Sequence, residues 1–304
     1  MGLGITTLTE KKKRRNHLVL IGIDKYENLS PLTFPVSDCQ RFYSVLKNFY
    51  GFSDNDLIIK PLFNKDASVA FLFDEISYLG GKNEKGEARV KSDENLIIYF
   101  SGHGHFSNNE GYWIPFDAPD PLNCTPYVIK QTLISVSEVI KILSTIKAHH
   151  IVLIVDACFS ESFTEMEVDM PQQSQIANAE DIPSRWVLTA GRHGLVPDPS
   201  PFANALVTIL SQNQSNHISI NLLGAQLTHA VRNANQPVPK SNLIIEPMCK
   251  SLVNTNKPGE FFFHRVVNQS QKSVGLDLKS LLNALRSGTN KHFDLLQTGR
   301  FKYL

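Results

Sequence analysis

Short apolar runs that alternate with segments of helical periodicity limit the folds open to this chain. Each run has the length of one strand and consists mainly of Val, Ile, Leu and aromatic residues. Strands that are apolar on both faces are typical of a parallel sheet covered by helices on either side. The pattern therefore predicts an α/β layered architecture. The predicted strands span 17–23, 56–59, 95–100, 151–155, 185–188 and 260–264, and the predicted helices span 37–49, 66–79, 136–146, 202–210 and 222–232.

The composition is that of an ordinary globular protein. Of 304 residues, 42% are hydrophobic and 19% are charged, so the chain can bury a sizeable core and disorder is not expected. The formal net charge of +1 gives no reason to expect nucleic acid as a partner. No apolar run is long enough to span a membrane. The four cysteines are scattered and show neither C-x-x-C nor metal-ligand spacing: Cys39, Cys124, Cys158 and Cys249. This usage suits the reducing cytoplasm better than it suits a disulfide-bonded protein.

The chain is predicted to hold one domain between two flanks. Residues 1–16 include a basic run at 11–15 and form a solvated N-terminal flank. Residues 17–266 contain the alternating pattern and form the domain. Within it, the polar and acidic segment 160–183 is a long loop, and loops of that length are usually functional. Residues 267–304 are predicted to be a C-terminal helical tail, because four leucines share one helical face: Leu278, Leu281, Leu282 and Leu285.

Two of the predicted strands end in residues that suit a nucleophile and its base. The strand at 95–100 runs into a Ser-Gly-His-Gly segment that contains His103, and the strand at 151–155 runs into an Asp-Ala-Cys segment that ends at Cys158. The carboxyl ends of parallel strands meet at one edge of a sheet, so both side chains are expected there. An imidazole beside a thiol favours the nucleophilic thiolate and can later protonate a leaving amine.

These segments resemble the signature segments of the caspase and metacaspase clan, especially its bacterial members. His103 precedes Cys158 by 55 residues, and the likeness extends through 18–24, 111–117, 186–191 and 200–206 to cover about 17–264. The resemblance implies a three-layer sandwich with a six-stranded, mostly parallel sheet flanked by helices. It also implies a cysteine endopeptidase with a His103–Cys158 dyad, whose oxyanion is held by the backbone N–H groups of Gly104 and Cys158.

The same resemblance predicts which peptide bond is cut. Metacaspases and paracaspases have Asp two residues before the nucleophile and cut after Arg or Lys, and Asp156 occupies that position here. Asp38 and Ser101 map onto the other residues of the primary specificity pocket. Two carboxylates in one pocket repel each other unless a cation, such as a substrate guanidinium, satisfies them. Asp38 has a second interpretation, as an acidic residue that stabilises the N-terminus of the helix at 37–49. Glu161 stands where bacterial relatives have Gly, which leaves the finer specificity open.

The loop at 160–183 bears on activation. Family members often cut themselves after the catalytic Cys, but no Lys or Arg lies between Glu161 and Ser184. The enzyme is therefore expected to act as a single chain, or to be switched on by a protein or ligand that orders this loop. The basic residues within 82–91 are the alternative self-cleavage sites.

No cofactor and no metal site are expected, although some metacaspases need calcium. The acidic residues near the loops that could supply oxygen ligands are Asp117, Asp120, Glu165, Glu167 and Asp169.

The leading interpretation is a cytoplasmic cysteine endopeptidase that cuts protein substrates after Arg or Lys and acts as a bacterial effector of defence or regulated cell death. An alternative from a different class is a caspase-like scaffold without catalysis. A third is a protease that cuts after Asp, against which the charge of Asp156 argues.

Overall fold

A computed structural model describes residues 14–157, 178–191, 198–234, 247–253 and 258–266 of the protein. The main sheet consists of β1 (Asn16–Gly22), β2 (Leu62–Phe63), β3 (Asn95–Ser101), β7 (His150–Asp156), β8 (Ser184–Thr189) and β10 (Met248–Ser251). The strand order is β10-β8-β7-β3-β1-β2, and only β10 runs antiparallel to its neighbour. The predicted six-stranded, mostly parallel sheet is confirmed.

Helices cover both faces of this sheet, as predicted for strands that are apolar on both sides. Within each central strand, alternate side chains enter two separate apolar clusters. The helices are α1 (Pro35–Tyr50), α2 (Val69–Leu79), α3 (Pro126–Thr132), α4 (Val136–Thr145), α5 (Pro201–Gln212) and α6 (Ile220–Ala234). One cluster packs against α2 and α4, and the other packs against α1, α5 and α6.

Two strands at the sheet edges differ from the prediction. The segment 56–59 forms a single bridge, from Leu57 to Leu18, because the residues before it fold into a 3-10 turn capped by Ser53 and Asp56. The strand lies instead at Leu62–Phe63. The last predicted strand exists as β11 (Phe262–His264), but it pairs with β9 (His217–Ser219) outside the main sheet. The sixth strand of the main sheet is β10, which was not predicted.

A small antiparallel sheet follows β3 directly and was also not predicted. It contains β4 (Gly104–Ser107), β5 (Glu110–Trp113) and β6 (Ile134–Ser135). Asn108 and Asn109, both with positive φ, form the tight turn between β4 and β5. Because β4 begins at Gly104, this sheet fixes the direction in which the chain leaves the edge of the main sheet.

The opposite, amino-terminal edge of the main sheet contains a buried neutral histidine. His150 is 1% exposed. Its Nδ1 accepts a hydrogen bond from the Ser184 hydroxyl at 2.8 Å, and its Nε2 donates one to the Glu180 carbonyl at 3.0 Å. Burial, and secondarily the neighbouring His149, lowers the pKa of His150 to about 3.

This histidine predicts a loss of stability in mild acid. In the unfolded chain His150 binds a proton below about pH 6.5, whereas in the folded chain it does so only near its lowered pKa of about 3. Stability is therefore lost as the pH falls from 6.5 toward 3, by about 2 kcal/mol between pH 7 and pH 5. Urea unfolding at pH 7 and pH 5 measures this change in the free energy of unfolding. In His150→Asn, the change between the two pH values should be smaller by about 2 kcal/mol. Equal differences in both proteins would contradict the assignment.

The basic flank and the tail stay predictions. Residues 1–13 and 267–304 lie outside the described residues, and so does most of the loop at 160–183. Among the residues that the structure describes, no helix has the length and apolar character needed to cross a membrane.

Candidate active site

The carboxyl ends of three neighbouring strands define the candidate site. Gly22 of β1 lies opposite Ser101 of β3, and Ser101 lies opposite Asp156 of β7. His103 follows β3 by two residues, and Cys158 follows β7 by two residues. Cys158 itself lies outside the described residues, as does Glu161. The register therefore places His103 and the chain that leads into Cys158 at the same edge of the sheet.

His103 is held from both its backbone and its ring by one loop. It is 3% exposed, and its backbone N–H donates to the Tyr26 hydroxyl at 2.7 Å. Its ring Nε2 donates to the Ser30 carbonyl at 2.9 Å, and its ring lies 4.7 Å from that of Tyr26. A neutral imidazole that donates from Nε2 carries its lone pair on Nδ1, so Nδ1 is the nitrogen that can accept a proton.

Glycine at position 102 makes the approach of Tyr26 possible. A Cβ on Gly102 would lie 2.7 Å from the Tyr26 hydroxyl oxygen and 3.3 Å from the Phe100 ring, so a side chain there would displace the Tyr26 hydroxyl. The glycine beside the histidine therefore creates space for the side chain that binds the histidine backbone.

The loop that carries Tyr26 and Ser30 is itself tied to the domain. The backbone N–H groups of Asp24 and Lys25 both donate to Asn64 Oδ1, at 2.8 and 2.9 Å. The Asp24 carbonyl accepts from Leu32 N–H at 2.7 Å, and its carboxylate accepts from Val36 N–H at 2.8 Å. These bonds fix the loop between β1 and α1, so the positions of Tyr26 and Ser30 are determined before any substrate binds.

We expect Tyr26→Phe to lower kcat on a cleavable peptide by about tenfold, the value of one lost hydrogen bond to a positioned group. The ring is kept, so KM should change little. Tyr43→Phe is the matched control, because the Tyr43 hydroxyl bonds only to a surface carboxylate, Asp54 at 2.6 Å, among the contacts described. If the two variants have equal kcat values, the Tyr26 hydroxyl plays no part in positioning His103.

Asp156 is buried beside two serine hydroxyl groups. It is 0% exposed, and Ser200 donates to its Oδ1 at 2.8 Å. The Ser101 hydroxyl lies 3.4 Å from its Oδ2. Ser200 also caps α5, by accepting from Ala203 N–H at 3.2 Å. The sequence did not single out Ser200, although Ser before Pro at a helix start is a recognisable capping signal.

Asp38 has a cationic partner of its own. It lies in the first turn of α1 with its side chain 2% exposed, and Arg41, one turn further, donates to its Oδ1 at 2.5 Å. Both interpretations of Asp38 therefore have a structural basis, since it sits at the N-terminus of a helix and beside the site. The Asp-x-x-Arg spacing was visible in the sequence, but the burial of the carboxylate was not.

The two carboxylates lie close to the same buried groups. Burial, followed by Asp38 and Asp156, raises the pKa of the Cys39 thiol well above its usual value. Burial, followed by Asp156 and Asp38, likewise raises the pKa of the Tyr99 hydroxyl. Cys39 is therefore a core thiol whose burial and raised pKa are unlike those of a reactive cysteine. Ser101 and Asp156 are in contact at this edge of the sheet, and Asp38 lies near the same two buried groups as Asp156.

The remaining predicted residues are placed as follows. Gly104 is buried and begins β4. Asp117 accepts from Val69 N–H at the start of α2, and Asp120 accepts from Leu122 N–H, so each stabilises a local helix start. Within the described ranges, no group of three or more His, Cys, Asp or Glu side chains could hold a metal ion. Glu165, Glu167 and Asp169 lie outside those ranges.

Fold and site together define a caspase-like α/β domain. A model of the caspase domain matches residues 15–257. Caspase-1 from Spodoptera frugiperda has a similar structure, with a TM-score of 0.52 and 14% sequence identity over 80% of this chain and 88% of that chain. A structure titled pro-sf-caspase-1 gives a TM-score of 0.49 and 12% identity over 80% and 93% of the two chains. No match was found among curated proteins.

The chain belongs to the caspase domain family, a family of cysteine peptidases, because the match covers most of its length. At 14% identity, the likeness to the insect caspase concerns the fold alone.

Proposed function

We propose that the protein is a cysteine endopeptidase that cuts protein substrates after Arg or Lys, with Cys158 as the nucleophile and His103 as its general base. The observation that carries this proposal is the fixed His103 ring. Its Nε2 is bonded to the Ser30 carbonyl at 2.9 Å, which leaves Nδ1 as the basic nitrogen at the strand edge where β7 leads into Cys158.

The proposed reaction has two halves. His103 Nδ1 takes the proton of the Cys158 thiol, and the thiolate attacks the scissile carbonyl carbon, with the oxyanion held by the backbone N–H groups of Gly104 and Cys158. The C–N bond then breaks, and His103 gives its proton to the leaving amine. Water, deprotonated by His103, hydrolyses the thioester, releases the carboxylate product and restores the thiol.

The Ser30 carbonyl supports this cycle electrostatically. Each half of the reaction places a positive charge on the His103 ring, and a carbonyl oxygen that accepts from Nε2–H stabilises the charged ring. It also prevents the ring from flipping to present the wrong nitrogen.

Specificity for a basic residue is proposed from Asp156, Ser101 and Asp38. Asp156 is 0% exposed, and a buried carboxylate strongly favours a cation over a neutral or acidic side chain. An aspartate of the substrate would be repelled there, which argues against cleavage after Asp.

Activity as a single chain, activation by a protein or ligand, and a role as a cytoplasmic effector of bacterial defence are part of the same proposal. They rest on the resemblance and on the absence of Lys and Arg between Glu161 and Ser184. Calcium is varied in the same experiment as the substrate, because some metacaspases need it.

The test is cleavage of short fluorogenic peptides that end in Arg, Lys or Asp by the intact protein and by Cys158→Ala, each with and without calcium. We expect turnover of the Arg and Lys peptides only, and its complete loss in Cys158→Ala. Turnover of the Asp peptide would overturn the pocket assignment. If no peptide is cut, an arginyl probe that alkylates thiols distinguishes an enzyme awaiting its activator from a non-catalytic scaffold. Labelling of Cys158 would favour the enzyme, and failure to label it would favour the scaffold.

A further inference from the structure

We propose that Arg41 is a specificity-determining residue that competes with the basic side chain of the substrate for Asp38. This inference rests on the proposed function, because it assigns to Asp38 a place in the pocket for Arg or Lys. It adds that the pocket already contains one guanidinium, which belongs to the protein.

The ion pair between Arg41 and Asp38 resembles the contact that a substrate arginine would make with Asp38. Arg41 Nη2 donates to Asp38 Oδ1 at 2.5 Å, so a guanidinium N–H is bound to a carboxylate oxygen, as it would be for a substrate arginine. The Asp38 side chain is 2% exposed, whereas that of Arg41 is 42% exposed. The arginine therefore reaches from the surface to a buried carboxylate, and its own side chain can leave toward solvent without disturbing the core.

Asp38 lies next to the other residues of the proposed pocket, so Arg41 and a substrate cation would compete there. Cys39, the next residue, donates through its thiol to the Ile21 carbonyl at 3.4 Å, which fixes the first turn of α1 against the end of β1. The next residue of β1, Gly22, lies opposite Ser101, and Ser101 lies opposite Asp156. Asp38 therefore lies in the helix turn beside the edge that carries Ser101 and Asp156, and both carboxylates act on the same buried groups, Cys39 and Tyr99. A cation bound to both carboxylates would share Asp38 with Arg41.

Competition has a defined consequence for affinity. A basic side chain can bind Asp38 only in the fraction of molecules in which Arg41 has moved away, and the apparent dissociation constant rises by the inverse of that fraction. Removal of the guanidinium also removes a positive charge from beside Asp38, so the carboxylate attracts a substrate cation more strongly. Loss of Arg41 should therefore strengthen the binding of a basic peptide.

An ordinary helical ion pair predicts the opposite. If Arg41 only stabilises α1 through an i,i+3 contact with Asp38, its loss should weaken the helix and leave peptide binding unchanged or weaker. The direction of the change in affinity therefore separates the two roles.

The experiment measures binding without turnover. In a Cys158→Ala background, isothermal titration calorimetry compares a short peptide that ends in Arg with the same peptide ending in citrulline, which has the same shape and no charge. Arg41→Gln is the test variant. Lys47→Gln is the matched control, because Lys47 lies on the same helix and pairs at 2.8 Å with the exposed Asp54, so its removal changes the net charge equally.

We expect Arg41→Gln to bind the Arg peptide about tenfold more tightly or better, a change equivalent to about 1.4 kcal/mol. Affinity for the citrulline peptide should not change, and Lys47→Gln should behave like the parent. Arg41→Gln should also show the larger rise in melting temperature on adding the Arg peptide. If it fails to fold, Arg41→Lys replaces it, with an expected gain of about threefold because Lys makes fewer hydrogen bonds to a carboxylate.

Two other outcomes separate this inference from the proposed function. A parent that prefers Arg to citrulline, with unchanged or weaker binding in Arg41→Gln, would overturn the role of Arg41 and leave the basic specificity intact. A parent and variant that both fail to distinguish the two peptides would overturn the pocket assignment, and the role of Arg41 with it.

Discussion

Replacing His103 with alanine should lower kcat on an Arg or Lys peptide by about 10³-fold or more, with little change in KM. The loss follows from the removal of the only group that is proposed both to deprotonate Cys158 and to protonate the leaving amine. Steady-state kinetics measure the loss, and the pH dependence of Cys158 alkylation by iodoacetamide gives a second readout. In the variant, alkylation should require a higher pH, because the thiol loses its neighbouring base.

His105→Ala is the matched control for this prediction. His105 is also buried, at 8% exposure, and desolvation lowers its pKa, but its ring lies beside Tyr112 at 6.4 Å. Its substitution should leave kcat within a few-fold of the parent. If kcat falls by a similar factor in both variants, the loss in His103→Ala comes from damage to the fold and not from the loss of a catalytic group.

Asp156→Asn should lower kcat/KM for Arg and Lys peptides by about 10²-fold, since it removes a buried charge but hardly alters the shape. The two hydroxyl neighbours, Ser101 and Ser200, can accept from an amide as well as donate to a carboxylate, so the packing should survive. The measurement is kcat/KM for peptides ending in Arg and in citrulline. The preference for Arg should largely disappear.

Ser200→Ala provides the comparison for Asp156→Asn. It removes one hydrogen bond to Asp156 Oδ1 and the cap of α5, but keeps the charge. It should destabilise the protein by about 1 kcal/mol and retain the preference for Arg. Full retention of Arg specificity in Asp156→Asn would assign the recognition of basic substrates to other residues.

The core of the fold was predictable because its signal is local. The strands at 17–23, 95–100 and 151–155 were predicted to within about two residues, since each is apolar on both faces and needs no knowledge of its partners. Short elements lack such a signal. β2, with two residues, and β10, with four, are stabilised by pairing with strands far along the chain, and both were missed.

Some residues of the candidate site could be predicted from the sequence, and others could not. His103 and Asp156 were singled out as candidates because they are unusual residues at strand ends, and the register of β3 and β7 brings those ends together. Tyr26 and the Ser30 carbonyl were not identified. They lie 77 and 73 residues from His103 along the chain, and a backbone carbonyl leaves no trace in the residue types.

Periodicity and residue type are local properties, so the residues alone predicted the layered α/β class, the apolar strands and the chemical groups that follow them. Folding settled which nitrogen of His103 donates to a carbonyl and which cation pairs with Asp38. Both depend on groups that approach through folding, and hydrogen bonds and ion pairs act only over a few ångströms. A sequence can name the reacting groups, but their protonation and pairing are properties of the assembled site.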